Sequence, residues 1–268
     1  MTNSPWTGML PIDDTALAVT DTGGTGTPVV YLNGAYASQR HWKPTIAALG
    51  TDQWRHITYD ERARGRSRTS SDYSFEGTLR DLDAVLRARG VARPILVGWS
   101  YGAFIGMYWA HRHPDRIAGV VNVDGALPAG LTGPEGHARI RMLFRRMRLV
   151  LPLVAPFGLA ARMSADEHAD VNIELNEIAA ACAPVLERVT CPVRYVLATG
   201  DSLGSRDGEH EQARTALEPV FAKNPNLQVS AKVTSNHGAI LRKDFRAVAQ
   251  AVREIAAAAD RTADRRAG

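Results

Sequence analysis

The order of elements along the chain constrains its fold more than any single motif does. From residue 28 onward, short runs rich in β-branched and apolar residues alternate with stretches of helical periodicity. Strands are predicted at 28–32, 55–59, 94–97, 117–123, 193–197 and 227–233. Helices are predicted at 41–49, 74–89, 101–111 and 239–259. This alternation favours an α/β fold, with a mostly parallel central sheet and helices on both faces.

Two segments lie outside this alternation. Residues 9–22 predict a small hairpin that extends the sheet edge. Residues 126–189 show no strand pattern and contain helix-prone stretches at 139–150, 159–163 and 165–188. We expect them to form a helical cap over the carboxyl edge of the sheet, where open α/β sheets bind ligands. The predicted core therefore comprises residues 1–125 and 190–268.

The strongest local signal is the sequence Gly-Trp-Ser-Tyr-Gly at residues 98–102, between a predicted strand and a predicted helix. In that context a Gly-x-Ser-x-Gly pattern places the serine on a sharp, strained turn with its Oγ exposed. Glycine is needed at both ends because a Cβ there would clash. Ser100 is therefore the candidate nucleophile. The same turn aims the Tyr101 N–H at the reacting oxygen, near the positive end of the helix.

His237 is the candidate general base. Of the eight histidines, it is the one in a turn between the last predicted strand and the last predicted helix, from which it can reach Ser100. Two acids satisfy the chain order serine, acid, histidine: Asp124 after one strand and Asp201 after the next. A buried carboxylate is easier to hold at the strand end before Gly125 than in the glycine-rich loop after Asp201, so the local argument favours Asp124.

These features resemble the α/β-hydrolase fold family over about residues 28–259. Residues 59–67, Tyr-Asp-Glu-Arg-Ala-Arg-Gly-Arg-Ser, are similar to the family segment Asp-x-Arg-Gly-x-Gly-x-Ser, with Ala63 where glycine is usual. The family's His-Gly after the third strand is Asn33-Gly34 here. The resemblance implies that the N–H of Ala35 is a second oxyanion donor beside that of Tyr101.

The resemblance does not decide between the two acids. Most of the family carries the acid after the later strand, which favours Asp201, and a minority carries it after the earlier strand, which resembles Asp124. Both therefore stay candidates.

A serine nucleophile implies an acyl-enzyme, and hence a substrate with an ester, lactone, thioester or amide carbonyl. It argues against the haloalkane dehalogenase and epoxide hydrolase branches, which use a carboxylate at this turn. We predict a serine hydrolase of a small or medium hydrophobic ester, lactone or thioester. The alternatives are a non-hydrolytic enzyme of the same fold (a lyase, a cyclase or a cofactor-free oxygenase or peroxidase), an acyl-carrier thioesterase, and a ligand-sensing protein with little turnover.

The expected substrate contacts come from the loop after the first predicted parallel strand, from the serine turn and from the cap. They are Gly34, Tyr36, Trp99, Leu143 and Phe144. An arginine cluster at 139–148 is either a solvated helix face or a surface that recruits an acidic partner.

Composition restricts the remaining classes. The chain has 268 residues with 32 basic and 28 acidic side chains. It has no run of basic residues interleaved with aromatic residues, the pattern that would indicate nucleic-acid binding. No apolar stretch reaches the ~20 residues of a membrane span. The start lacks a secretory pattern, and two cysteines provide neither a disulfide framework nor a zinc site, so we expect a cytoplasmic location. We expect no metal or cofactor and a small-molecule substrate; the sequence does not indicate the oligomeric state.

Overall fold

The computed structural model describes residues 4–200 and 215–267, in which eight strands form one sheet. The strands are β1 (Trp6–Ile12), β2 (Thr15–Asp21), β3 (Thr27–Leu32), β4 (Trp54–Tyr59), β5 (Ile95–Trp99), β6 (Gly119–Val123), β7 (Val193–Ala198) and β8 (Leu227–Val233). Their order is β1-β2-β4-β3-β5-β6-β7-β8. The hairpin β1–β2 is antiparallel and β2 pairs antiparallel to β4, whereas β3 to β8 run parallel. The predicted, mostly parallel α/β architecture is confirmed.

Helices cover both faces of this sheet. They are α1 (Lys43–Leu49), α2 (Phe75–Ala88), α3 (Tyr101–Arg112), α4 (Gly133–Met147), α5 (Leu151–Val154), α6 (Ala165–Ala181), α7 (Ala183–Arg188), α8 (Glu218–Lys223), α9 (Ile240–Lys243) and α10 (Phe245–Ala267). Helices α1 and α10 pack together on one face, and α2 and α3 pack together on the other.

The central strands are buried on both faces, which explains their continuous apolar sequences. Successive residues of β5 alternate between the two cores: Leu96 packs on the α2–α3 side, whereas Ile95 and Val97 pack on the α1–α10 side. All three are fully buried. The sheet is therefore the shared wall of two hydrophobic layers, and its strand ends are held rigidly.

Two predicted helices differ from the structure. Residues 159–163 are not helical, because Gly158 (φ 74°) ends the preceding turn and the Arg162 N–H donates to Ala63 O at 2.9 Å instead of within a helix. The predicted closing helix is split into α9 and α10 at Asp244, whose backbone (φ −115°, ψ 27°) leaves the helical region.

The segment between β6 and β7, residues 126–189, is called the insertion below. Its helices α4 and α6 pack against each other, with Ile140 and Phe144 of α4 buried in a small core of their own. Helix α7 packs on α3, with Leu186 in the main core. Within residues 4–200 and 215–267, no helix has both the length and the apolar character that a membrane crossing requires.

We predict that two glycines of α3 respond differently to alanine. A Cβ on Gly102 would lie 2.2 Å from Leu32 O, a backbone atom that cannot move aside, whereas a Cβ on Gly106 would lie 3.3 Å from the Val120 side chain. Gly102→Ala should therefore lower the free energy of unfolding by roughly 3 kcal/mol. Gly106→Ala should change it by less than about 1 kcal/mol, since higher helix propensity offsets the tighter contact. Urea denaturation of both variants measures this; equal effects would contradict the proposed contact between α3 and β3.

Candidate active site

Ser100 occupies the turn between β5 and α3 in a backbone conformation that L-residues rarely adopt. Its φ and ψ are 56° and −114°, and it is the N-cap residue of α3. Two backbone hydrogen bonds hold Ser100 in this conformation. Its N–H donates to Val123 O at 3.1 Å, and its carbonyl accepts from the Ala103 N–H at 3.1 Å. Such a conformation persists only where the surroundings fix it, and it is concentrated at functional sites.

Small residues make this turn possible. A Cβ on Gly98 would lie 2.3 Å from Gly102 O, so the two ends of the turn can approach only without side chains, as the sequence pattern predicts. A Cβ on Gly125 would lie 2.5 Å from Ser100 O, which shows how closely the end of β6 packs beneath the serine. The turn therefore needs glycine at a third position that the five-residue motif does not include.

His237 is hydrogen-bonded to Asp124. Its Nδ1 lies 2.8 Å from Asp124 Oδ2, and the other carboxylate oxygen accepts from the Ala198 N–H at 3.0 Å. The Asp124 side chain is 1% exposed, whereas that of His237 is 30% exposed. An ionised carboxylate only accepts hydrogen bonds, so this contact assigns the proton to Nδ1 and leaves Nε2 as the acceptor. Asp201, the other candidate acid, lies outside the described residues.

Ser100, Asp124 and His237 line one cavity of about 250 Å³. The insertion supplies much of the remaining wall, and the lining side chains are mostly small or apolar: Phe104, Leu127, Ala129, Leu175 and Ala179, with Asn176 and Gly125. The Asn176 amide is engaged within the insertion, where it accepts from the Leu131 N–H at 2.7 Å and donates to Asn172 O at 2.8 Å. The cavity therefore offers an apolar surface beside the serine.

The two predicted oxyanion donors follow adjacent parallel strands. Tyr101 begins α3, whose first N–H groups lack partners within the helix. Its phenol points away into the core, where it lies 3.1 Å from Thr78 Oγ1 and burial raises its pKa to about 12. Ala35 lies in the loop after β3, and its carbonyl accepts from Arg64 Nε at 2.5 Å. That bond fixes the peptide plane next to the donor.

A buried carboxylate holds the start of this loop. Glu61 accepts from the Asn33 N–H at 3.1 Å and from Asn33 Nδ2 at 2.8 Å. The Asn33 Oδ1 accepts from Trp42 Nε1 at 2.9 Å. Burial raises the pKa of Glu61 to about 7, although the Arg64 charge and the Asn33 hydrogen bonds act in the opposite direction. Asn33, at the position where histidine is usual, is thus a satisfied buried amide that anchors the loop.

The predicted substrate contacts lie in different environments. Gly34 is packed against the Trp99 ring, since a Cβ there would lie 3.0 Å from Trp99 Cε3. The Trp99 ring centroid lies 5.5 Å from that of His237, which places Trp99 beside the site. The Tyr36 hydroxyl accepts from Asn172 Nδ2 at 2.6 Å and so joins the loop after β3 to the insertion.

The two predicted contacts on α4 do not line the cavity around Ser100. Phe144 is buried inside the insertion, stacked on His168 with ring centroids 5.4 Å apart. Leu143, the preceding residue, lies about 100° further round α4 and is 53% exposed. The apolar wall comes instead from α6 and from the segment after β6, for example from Leu175 and Leu127. Within the described residues, no cluster of three or more His, Cys, Asp or Glu side chains is arranged to hold a metal ion.

Sequence reasoning missed Glu61 and Arg64 as site residues. Glu61 lies beside Asn33 because β3 and β4 are parallel neighbours, so the residues that follow them emerge at the same sheet edge. The sequence places both residues after strands but does not state that these two strands pair. The position of Leu175 and Asn176 in the wall had no comparable signal, because it depends on how α6 packs.

The comparisons with known proteins agree with this geometry. A family model described as the alpha/beta hydrolase fold matches residues 27–152. An enol-lactonase from Burkholderia xenovorans LB400 has a TM-score of 0.70 at 20% identity, over 93% of this chain and 100% of that chain. The chain has the α/β-hydrolase fold.

The curated relatives match a shorter region of this α/β-hydrolase-fold chain. RutD of Caulobacter segnis, named as a carbamate hydrolase, is 36% identical over 104 residues, which are 37% of this chain and 39% of that protein. Epoxide hydrolase B of Mycobacterium tuberculosis is 34% identical over 122 residues, 42% of this chain and 34% of that protein. The matched region thus spans well under half of either relative.

We predict that Glu61 makes stability fall as the pH rises. Its pKa is 4.5 in model compounds and about 7 in the folded protein, so between these values the folded state keeps a proton that the unfolded state has lost. The free energy of unfolding should therefore decline from pH 4.5 to 7 by about 3 kcal/mol relative to Glu61→Gln, and the difference should stay constant above that window. Urea denaturation from pH 4 to 8 measures it, with the exposed Glu135→Gln as the control. Parallel pH profiles for wild type and Glu61→Gln would contradict the assignment.

Proposed function

We propose that the protein is a serine hydrolase that cleaves a small or medium hydrophobic ester, lactone or thioester through an acyl-enzyme. The observation that supports this most directly is the convergence of Ser100, His237 and Asp124 on one apolar cavity, with the histidine hydrogen-bonded to the buried carboxylate. The names of relatives and structural neighbours, carbamate hydrolase and enol-lactonase among them, support hydrolysis.

In the proposed reaction Ser100 Oγ attacks the substrate carbonyl and His237 Nε2 takes the serine proton. The same proton then passes to the leaving group, which departs as an alcohol or thiol, and the acyl group stays on Ser100. Asp124 keeps the Nδ1 proton in place and stabilises the imidazolium that forms. The N–H groups of Ala35 and Tyr101 stabilise the oxyanion. A water molecule, activated in turn by His237, releases the acid.

The cavity chemistry supports the substrate class. Its lining is mostly apolar, so it offers a hydrophobic acyl or leaving group a surface that costs little to desolvate. A carbamate shares the carbonyl centre that Ser100 would attack. An epoxide does not, and opening it by this route requires a carboxylate where this chain has Ser100. We propose the reaction without a metal or organic cofactor, in the cytoplasm.

The nucleophile is tested with Ser100→Ala. The wild type should turn over p-nitrophenyl butyrate and react once per chain with a fluorophosphonate probe, whereas the variant should lose at least ~10³-fold in kcat and should not be labelled. Peptide mapping should place the label on Ser100. Full activity in the variant, or a label on another residue, would refute the proposal.

The orienting acid is tested with two isosteric variants. Asp124→Asn should lower kcat by roughly 10²–10⁴-fold because an amide favours the wrong histidine tautomer. Asp201→Asn, matched in chemistry, should lower it by less than about tenfold. Both rates are compared at equal folded fraction by circular dichroism. A large loss in Asp201→Asn with little loss in Asp124→Asn would reverse the assignment.

A further inference from the structure

Exposed apolar side chains are concentrated on one part of the insertion. Of the ten large hydrophobic residues that are exposed in the described chain, seven lie between residues 142 and 159. Four of them are between 69% and 75% exposed: Leu149, Leu153, Phe157 and Leu159. Contiguous exposed apolar surface on a globular protein marks an interaction site. We call the outward side of residues 139–159 the docking face.

The docking face is also strongly basic. Between Gly136 and Ala165 the chain has six arginines and no aspartate or glutamate. Arg141 pairs with Asp170 of α6 at 2.8 Å, across the insertion. Arg139, Arg145, Arg146 and Arg148 are exposed to solvent. Exposed apolar and cationic side chains therefore share this segment, which supplies no acidic side chain to neutralise the arginines.

The periodicity of helix α4 separates a buried side from an exposed side that is both apolar and basic. Its inward side carries Ile140 and Phe144, which are buried in the insertion core. Its outward side carries Arg139, Met142, Leu143 and Arg146, spaced three, four and seven residues apart on one face. A helix that only faced water would carry polar residues there. This one presents apolar groups flanked by arginines, an arrangement typical of helices that lie in a membrane interface.

We propose that the docking face binds the surface of an anionic lipid membrane. The leucines and Phe157 would enter the boundary between headgroups and acyl chains, while the arginines contact lipid phosphates and keep their charge in the headgroup layer. A second copy of this chain fits less well, because a two-fold contact would bring the same arginines against each other.

The position of the docking face connects it to the candidate active site. The Arg40 guanidinium lies beside Gly158, where an added Cβ would be 3.5 Å from Nη2. Arg40 lies in the short turn Gln39–Trp42, which directly follows the loop that carries Ala35. Inside the insertion, the core behind the docking face contacts Tyr36 of that loop. These two contacts connect the docking face to the loop that carries Ala35.

The test is co-sedimentation with vesicles and does not depend on hydrolysis, so its result is separate from that of the proposed function. The wild type should bind vesicles of phosphatidylcholine with 30% phosphatidylglycerol at low salt, bind pure phosphatidylcholine vesicles much less, and lose binding at high salt. Each basic side chain near an anionic surface strengthens partitioning roughly fivefold. The double variant Arg145→Glu/Arg146→Glu should therefore bind at least ~25-fold more weakly.

A second variant and a control separate the apolar contribution from net charge. Leu153→Ser/Phe157→Ser keeps every arginine and should also bind more weakly, by roughly tenfold or more. Arg93→Glu/Lys232→Glu makes the same change in charge at exposed positions outside the docking face and should bind like the wild type. Unchanged melting temperatures exclude misfolding as the cause.

Several results would overturn the proposal. These are no binding to anionic vesicles at low salt, equal binding to neutral vesicles, binding that survives both docking-face variants, and a loss in the control as large as in Arg145→Glu/Arg146→Glu. Binding of soluble polyglutamate without vesicle binding would assign the face to an acidic protein. A dimer in sedimentation that Leu153→Ser/Phe157→Ser dissociates, again without vesicle binding, would assign it to a second copy.

Discussion

The buried carboxylate of Asp124 is the interaction on which the site depends. It extends from the end of β6, accepts from the Ala198 N–H of β7 at 3.0 Å and lies 2.8 Å from His237 Nδ1 in the loop after β8. One side chain therefore connects the ends of three neighbouring strands. A buried charge is stable only when its hydrogen-bonding capacity is used, so Asp124 and its partners form a unit that is costly to break.

The serine turn adds a steric constraint to this electrostatic one. Ser100 keeps its strained backbone because Gly98, Gly102 and Gly125 allow β5, α3 and the end of β6 to approach within distances that exclude a Cβ. Gly125 takes part in both constraints, because it follows Asp124 and packs against the Ser100 carbonyl. Ser100 and the Asp124 carboxylate are thus positioned by the same turn at the end of β6, and the core on both faces of the sheet fixes that turn.

Much of the fold could be predicted from the sequence, because strands buried on both faces have continuous apolar runs and helices have their own period. Strand β8 agrees with its predicted residues 227–233, and β1 and β2 form the predicted hairpin. Helix prediction failed at residues 159–163, where the Arg162 backbone bonds to the loop at Ala63. That contact is far away in sequence and leaves no local signal.

The candidate site could be predicted in part, because its residues lie directly after strands. Ser100 and His237 follow strands, and position after a strand is visible in a sequence. The sequence rule left both acids open, since each follows a strand. The structure brings Asp124 to His237, and Asp201 lies outside the described residues. Leu143 and Phe144 were expected at the substrate, but which side of α4 faces the core depends on its packing against α6, and neither side reaches the cavity around Ser100. The role of Glu61 depends on which strands are neighbours, which the sequence order alone does not state.

The central claim is that Ser100 carries the acyl group during turnover. Rapid-quench mass spectrometry of the wild-type protein mixed with p-nitrophenyl butyrate tests it most directly. We expect an added butyryl mass within the first turnover, located by peptide mapping on Ser100 and lost again as the substrate is exhausted. Turnover of the ester with no covalent adduct at any quench time, or an adduct on another residue, would contradict it.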